Sequence, residues 1–371
     1  MLGQGKRKIF NPSKMTIGAA RIAQYPGHNG HPNLGGLVVF EDNGVNSIKM
    51  RYSLSNFDAS ESGGIHVHTV EKTNAASCAE AIPGGHYLID PANDPWLTSQ
   101  KYTTDTSGNS LQAADTHIVD NFTVENISGK VVVMHNAAGV RVGCGVIIPY
   151  EDALLTTIEK YPDYAGSSDP SGLVLFTKDG PYGGLNSYGN VFGLNNGDCA
   201  NSNGIHIHTG NTCATSAGPA GHLFDSDKDD FWIGNSYCVD STGASPVDFS
   251  IQPSKSLLFE PTGDLAIASR AVVMHDINGA RIGYGVTTVI SGCDTPPSRP
   301  ADDDSPPCDP KLSAGQKLTV EIFLITAFLG FVFFMCWRIK GGRKSSSSHK
   351  EGDGGNTEEL VVDAKTESDM L

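Results

Sequence analysis

The apolar positions of this chain recur in short runs, and glycine, asparagine and aspartate separate them. G-L-V-V-F (36–40), S-I-K-M-R-Y-S-L (47–54) and K-V-V-V-M-H (130–135) are rich in β-branched and aromatic residues, which favour the pleated surface of a strand. No segment before Leu318 keeps an apolar stripe at helical spacing over successive turns. Many short strands with turn signals between them predict an all-β chain built as antiparallel sandwiches or barrels.

One run is different. From Ile322 to Trp337 the chain is uncharged and apolar, and counting from Leu318 the stretch reaches about 20 residues, the usual membrane-spanning length. Arg338, Lys340, Arg343 and Lys344 follow at once, and such a basic cluster marks the cytoplasmic side. The pattern predicts one transmembrane helix over 318–337, with everything before it extracellular or lumenal: a single-pass type I protein of the cell membrane. Residues 1–20 contain no apolar core of a secretory signal, so the natural N-terminus is expected to differ from this one. Residues 292–317 are rich in Pro and Asp and read as an extended stalk. Residues 338–371, rich in Ser and acidic residues, read as a disordered cytoplasmic tail. With this topology, Asn121-Phe-Thr and Asn126-Ile-Ser are glycosylation acceptors.

Within the ectodomain the pattern occurs twice. G-I-H-V-H-T (64–69) returns as G-I-H-I-H-T (204–209), and V-V-V-M-H-N-A-A-G-V-R-V-G-C-G-V, ending at Val146, returns as A-V-V-M-H-D-I-N-G-A-R-I-G-Y-G-V, ending at Val286. Gly84–His86 matches Ala220–His222, Asp94-Pro-Trp96 is echoed by Asp230-Phe-Trp232, and Tyr25-Pro26 with L-V-V-F parallels Tyr161-Pro162 with L-V-L-F. The copies run over residues 14–150 and 153–291.

Composition and charge narrow the function. The formal net charge is -15, which argues against nucleic acid as a partner, because a phosphate-binding surface needs Lys and Arg in excess. An anionic substrate would need local positive charge to reach a site.

Eight of the 12 histidines fall at matching positions of the repeat. Residues two apart on a strand share a face, so His66 projects with His68, and His206 with His208. His86 follows two glycines that allow close backbone approach, His135 ends a strand, and His222 and His275 repeat both placements. Imidazole suits copper and zinc, and four nitrogen donors without a nearby thiolate or acidic ligand favour copper, one ion per repeat. Arg141 and Arg281 lie on the turn and strand after His135 and His275, where a guanidinium would attract a small anion.

These residues resemble the copper/zinc superoxide dismutase family: the H-x-H pair, the loop histidine after a Cys-containing segment (C-A-T-S-A-G-P-A-G-H, 213–222), the V-V-M-H strand and the R-x-x-C-G-V ending occur in the family's order. The resemblance runs from about Thr16 to Val286. It implies two tandem Greek-key β-barrels and conversion of superoxide to oxygen and hydrogen peroxide. It also implies copper ligation by His66, His68, His86 and His135 in the first repeat and by His206, His208, His222 and His275 in the second. Arg141 and Arg281 match the anion-guiding arginine, and Cys78 with Cys144 matches the intradomain disulfide. The family's zinc ligands are missing, so no zinc is expected, and its long electrostatic loop is cut to a short turn. Both losses are similar to the copper-only superoxide dismutase-repeat proteins.

Tyr284 stands where the second family cysteine would be in the second repeat; Cys199 and Cys213 could pair instead, leaving Cys238 without an obvious local partner. Cys293 and Cys308 could pair within the stalk. The leading expectation is a membrane-anchored extracellular copper-only superoxide dismutase. The alternatives are copper binding, storage or delivery without turnover, and adhesion or signalling with the barrels as spacers. The arginines separate the first two, since storage does not require them.

Overall fold

The computed structural model describes residues 17–289 except 45, 98–99, 180–183, 196–202, 213–217, 225–228, 252–256 and 260–264. The apolar segment 318–337, the stalk and the tail lie outside the described residues, among which no helix is long and apolar enough to cross a membrane.

The first repeat contains β1 (Ile17–Gln24), β2 (Gly35–Asp42), β3 (Ser47–Ser55), β4 (Ser62–Val70), α1 (Cys78–Ala81), β5 (Pro83–His86), β6 (Lys101–Thr103), β7 (Ser110–Asp120), α2 (Val124–Ile127), β8 (Val131–His135), β9 (Arg141–Val146) and β10 (Ile148–Tyr150). The second contains β11 (Ala153–Lys160), β12 (Ser171–Asp179), β13 (Gly184–Phe192), β14 (Asn203–Ile207), β15 (Ser236–Tyr237), β16 (Ser245–Ile251), β17 (Ala271–His275), β18 (Arg281–Val286) and β19 (Thr288–Val289). Apart from the single turns α1 and α2, the described residues are all-β, with two barrel-like sheets. Their strand orders are β5-β4-β8-β9-β1-β2-β3-β7 and β15-β14-β17-β18-β11-β12-β13-β16. From β4 and β14 onward these are the same order, while β15 corresponds to β6, since Tyr237 pairs with Asn203 as Tyr102 pairs with Gly63, and a bridge of His208 to His222 takes the place of β5. The duplication seen in sequence is a duplication of topology.

Each sheet closes over its own core. Val38, Phe40, Ile65, Val67, Val132, Met134 and Trp96 fill the first; Val174, Phe176, Ile205, Ile207, Val272, Met274 and Trp232 fill the second. The alternate residues of β2 and β12 do not face water. Ile17, Ala19, Leu37 and Val39 pack with Ala153, Leu155, Leu173 and Leu175 in a third cluster. This explains why L-V-V-F and L-V-L-F are continuous apolar runs: both faces of the strand are covered.

That third cluster joins the repeats, and its members are four pairs of equivalent positions. Ser53, opposite Leu37, and Asn190, opposite Leu173, occupy the same register position in their repeats, and the Ser53 hydroxyl donates to the Asn190 carbonyl at 2.7 Å. A residue that meets its own equivalent is what a two-fold interface requires. Arg21 donates to Asp248 at 2.6 Å, and Asn56 Nδ2 donates to Asp240 at 2.9 Å. The two repeats belong to one compact unit rather than to two independent bodies.

Candidate metal centres

β4 supplies the first two candidate ligands. His66 and His68 share a face of the strand while Ile65 and Val67, wholly buried, point into the core. β4 lies between β5 and β8, and its register sets His68 against His86 and Gly64 against His135. Between Met134 and His135 the pairing of β8 with β9 shifts register, and such a bulge re-aims a side chain. The second repeat shifts at Met274/His275, and His208 bridges to His222. The glycine two residues before the first histidine of each H-x-H pair leaves room for that histidine's ring. A Cβ on Gly64 would lie 2.5 Å from His66 Nε2, and one on Gly204 would lie 2.6 Å from His206 Cε1.

All eight expected histidines come together, four in each repeat, with one potential ligand atom of each residue within 4.8 Å of the others. Two such clusters could each hold a metal ion. In the first, His66 and His68 are 6.3 Å apart by ring centroid, as are His86 and His135. The other four separations are 4.5, 4.8, 4.9 and 5.3 Å. The second cluster repeats this figure, with diagonals of 6.4 and 6.3 Å and sides of 4.2, 5.2, 5.0 and 5.8 Å.

Hydrogen bonds identify the inward-facing nitrogen of each ring, and in the first repeat His68 Nε2 and His135 Nε2 meet at 3.2 Å. His68 Nδ1 meets Gly84 O at 2.9 Å, His135 Nδ1 meets Gly139 O at 3.1 Å and His86 Nδ1 meets Asp94 Oδ2 at 2.7 Å. Each of those three rings therefore turns Nε2 inward. His66 is the reverse case, with its Nδ1 buried and unpartnered. In the second repeat Ala220 O, Gly279 O and Asp230 Oδ2 take the same roles at 3.0, 3.1 and 2.6 Å. There His206 Nδ1, His208 Nε2 and His275 Nε2 are all buried without a partner. Orphaned buried nitrogens cost about 1–3 kcal/mol each, and three converging on one point fit a bound cation that would satisfy them together.

The electrostatics agree. Burial, followed by the neighbouring imidazoles, depresses His66 and His206 to about 3. Burial likewise takes His68 and His208 to about 4 and lowers His135 and His275. These rings are neutral at pH 7, the state a metal ligand needs.

Arg141 and Arg281 stand beside the clusters. Arg141 Nη1 donates to Tyr25 Oη at 3.0 Å and to Pro83 O at 2.9 Å, and its Nη2 donates to Gly84 O at 2.6 Å. Gly84 O therefore serves both the arginine and His68. Arg281 Nη2 donates to Ala220 O at 2.9 Å, which also holds His208.

Three features of the site escaped the sequence reading: the glycines already described, and the carboxylates of Asp94 and Asp230. Each carboxylate binds a histidine of its cluster with one oxygen and accepts from the backbone N–H of Trp96 or Trp232 with the other, at 2.9 Å. The echo of D-P-W in D-F-W was the available signal.

Cys78 and Cys144 form a disulfide closing a sequence separation of 66 residues. Cys238, for which the sequence offers no obvious local partner, is disulfide-bonded. β15 pairs with β14 at Asn203 and Gly204, so Cys238, remote in sequence, lies next to the strand that carries His206. Its partner, like Cys199 and Cys213, lies outside the described residues. Asn121 and Asn126 are both exposed.

Comparison with known proteins leaves the family open: no family model and no curated protein matches the chain. A solved structure described as that of the clock protein EA4 is similar over 37% of this chain and 94% of its own, at 17% identity and a TM-score of 0.29.

Proposed function

We propose that each repeat is a copper centre and that the chain disproportionates superoxide at the extracellular face of a membrane, anchored by segment 318–337. The observation that carries the metal is the donor set: one imidazole nitrogen from each of four histidines lies within 4.8 Å of the others in each repeat, and an all-nitrogen set without thiolate or carboxylate suits copper. The donor set would be Nδ1 of His66 and Nε2 of His68, His86 and His135, with the same atoms of His206, His208, His222 and His275. Copper held there would supply a one-electron couple, so that two superoxide ions and two protons give one O2 and one H2O2. The protein's own part is to keep the rings neutral and oriented and to place a guanidinium next to them, drawing an anion past a surface of net charge -15.

A second reading, copper storage or delivery, is favoured by one observation. Arg141 commits three N–H bonds to protein acceptors, as a purely structural arginine would. Pulse radiolysis of the copper-loaded protein, freed of loose copper, separates the two. Superoxide decay that collapses in the Arg141→Lys/Arg281→Lys variant at unchanged copper content supports dismutation. Bound copper with decay no faster than the copper-free protein refutes it and leaves storage.

A further inference from the structure

The Tyr-Pro dipeptide that follows the first strand of each repeat supplies no candidate metal ligand, yet both tyrosines are used in the same way. Tyr25 N–H donates to Val142 O at 2.9 Å and Tyr161 N–H to Ile282 O at 2.8 Å, which fixes each tyrosine to the residue after the arginine. From there Tyr25 Oη accepts from Arg141 Nη1 at 3.0 Å, and Tyr161 Oη accepts from Arg281 Nη1 at 3.2 Å. The guanidinium carbons lie 5.7 and 5.9 Å from the ring centroids, within cation–π range.

The supports behind these rings are different. Tyr25 packs on the cluster that contains Cys78 and Cys144. Tyr161 meets Tyr284 edge-on at 6.0 Å, and Tyr284 occupies the place of Cys144. Two unlike scaffolds thus deliver one clamp, so the clamp is not a by-product of the packing around it. Its far end matters, because the same guanidinium reaches the carbonyl that orients His68 or His208.

We infer that Tyr25 and Tyr161 are positioning residues for Arg141 and Arg281, holding each guanidinium flat and fixed where an anion approaching the metal meets it. The inference rests on the copper reading above. An arginine on a long flexible stem loses rotamer freedom when it captures an anion, and a phenol that has already ordered it removes that cost. The ligand class is a small monovalent anion, and azide is a suitable probe that needs no turnover.

The test uses the full copper-loaded protein with the azide-to-copper absorption band as readout. Substitution at both repeats perturbs the two sites in the same way. Tyr25→Phe/Tyr161→Phe keeps the ring and removes the acceptor; it is expected to weaken azide binding roughly three- to tenfold, the size of one hydrogen bond. Copper stoichiometry and the azide-free copper spectrum are expected to stay unchanged. Tyr25→Leu/Tyr161→Leu, which also removes the ring, is expected to weaken it further. Azide affinity within twofold of wild type in both variants, with copper intact, overturns the inference. Loss of copper from the Phe variant also overturns it, by making the tyrosines part of the metal scaffold. If Arg141→Lys/Arg281→Lys leaves azide affinity unchanged, the arginine reading itself has failed. If that variant weakens azide and the tyrosine variants do not, only the positioning role has failed.

Discussion

Metal-free protein is expected to lose stability steeply as the pH falls below 6.5. His68 and His208 are 2% and 1% exposed, and burial lowers each from 6.5 to about 4. Above pH 6.5 both folded and unfolded chains carry these rings neutral, and nothing is lost. Between 6.5 and about 4 the unfolded chain takes up protons that the folded rings refuse, so the unfolded state binds more protons and stability falls with pH. At pH 5 each ring contributes about 2 kcal/mol of this penalty, and the two together about 4 kcal/mol. His66 and His206 shift in the same direction and add to it. For a body of this size about 4 kcal/mol lowers the melting temperature by roughly 5–10 °C. The assay is calorimetric melting of chelator-treated protein from pH 7.5 to 5. Copper-loaded protein run alongside should show a smaller drop over the upper part of that range, because a ligated nitrogen resists protonation. A metal-free melting temperature constant within 2 °C, or one that rises on acidification, would refute the claim that these rings are buried and neutral.

Three other perturbations test separate parts of the structure. Asp94→Ala should weaken metal binding at the first repeat about 10- to 100-fold, as loss of a partner that orients a ligand histidine does; chelator competition should show one weakened site and one unchanged. Cys78→Ser/Cys144→Ser opens a loop of 66 residues, and chain entropy puts the loss at about 4 kcal/mol; an unchanged melting curve would contradict it. Leu173→Ala in the shared cluster should cost about 2–5 kcal/mol while leaving a single transition, and two resolved transitions would show that the repeats melt independently.

The sequence displayed the local layer of this structure well. Short runs rich in β-branched residues placed the strands, and the H-x-H spacing placed His66 with His68 on one face, because residues two apart on a strand share a face. The repeat then located His86 and His135 without any geometry. What stayed hidden depends on partners distant in sequence. Leu37, Val39, Leu173 and Leu175 look like ordinary strand residues; only the assembled fold shows that they face one another across a two-fold seam. Nothing in the spacing from His86 to Asp94 requires their 2.7 Å contact, since it depends on the path of the intervening loop. Cys238 had no obvious local partner, and the strand beside it, β14, is distant along the chain.

The duplication acts as an internal control on which residues define the site. Both repeats retain four histidines, a carboxylate on the third, a glycine that makes room for the first, an arginine on the carbonyl that orients the second, and a tyrosine on that arginine. The surroundings of these residues differ. The first repeat has a disulfide where the second has Tyr284, and Asn136 follows His135 where Asp276 follows His275. That last difference has a chemical consequence: the Asp276 carboxylate acts to raise the His275 pKa, and its negative charge would oppose an approaching anion, whereas Asn136 adds no charge. If Arg141 and Arg281 draw the same anion, the first centre should bind azide more tightly than the second at low ionic strength. The gap should close as salt screens the carboxylate. A gap that is the same at all salt concentrations would assign the difference to packing rather than charge.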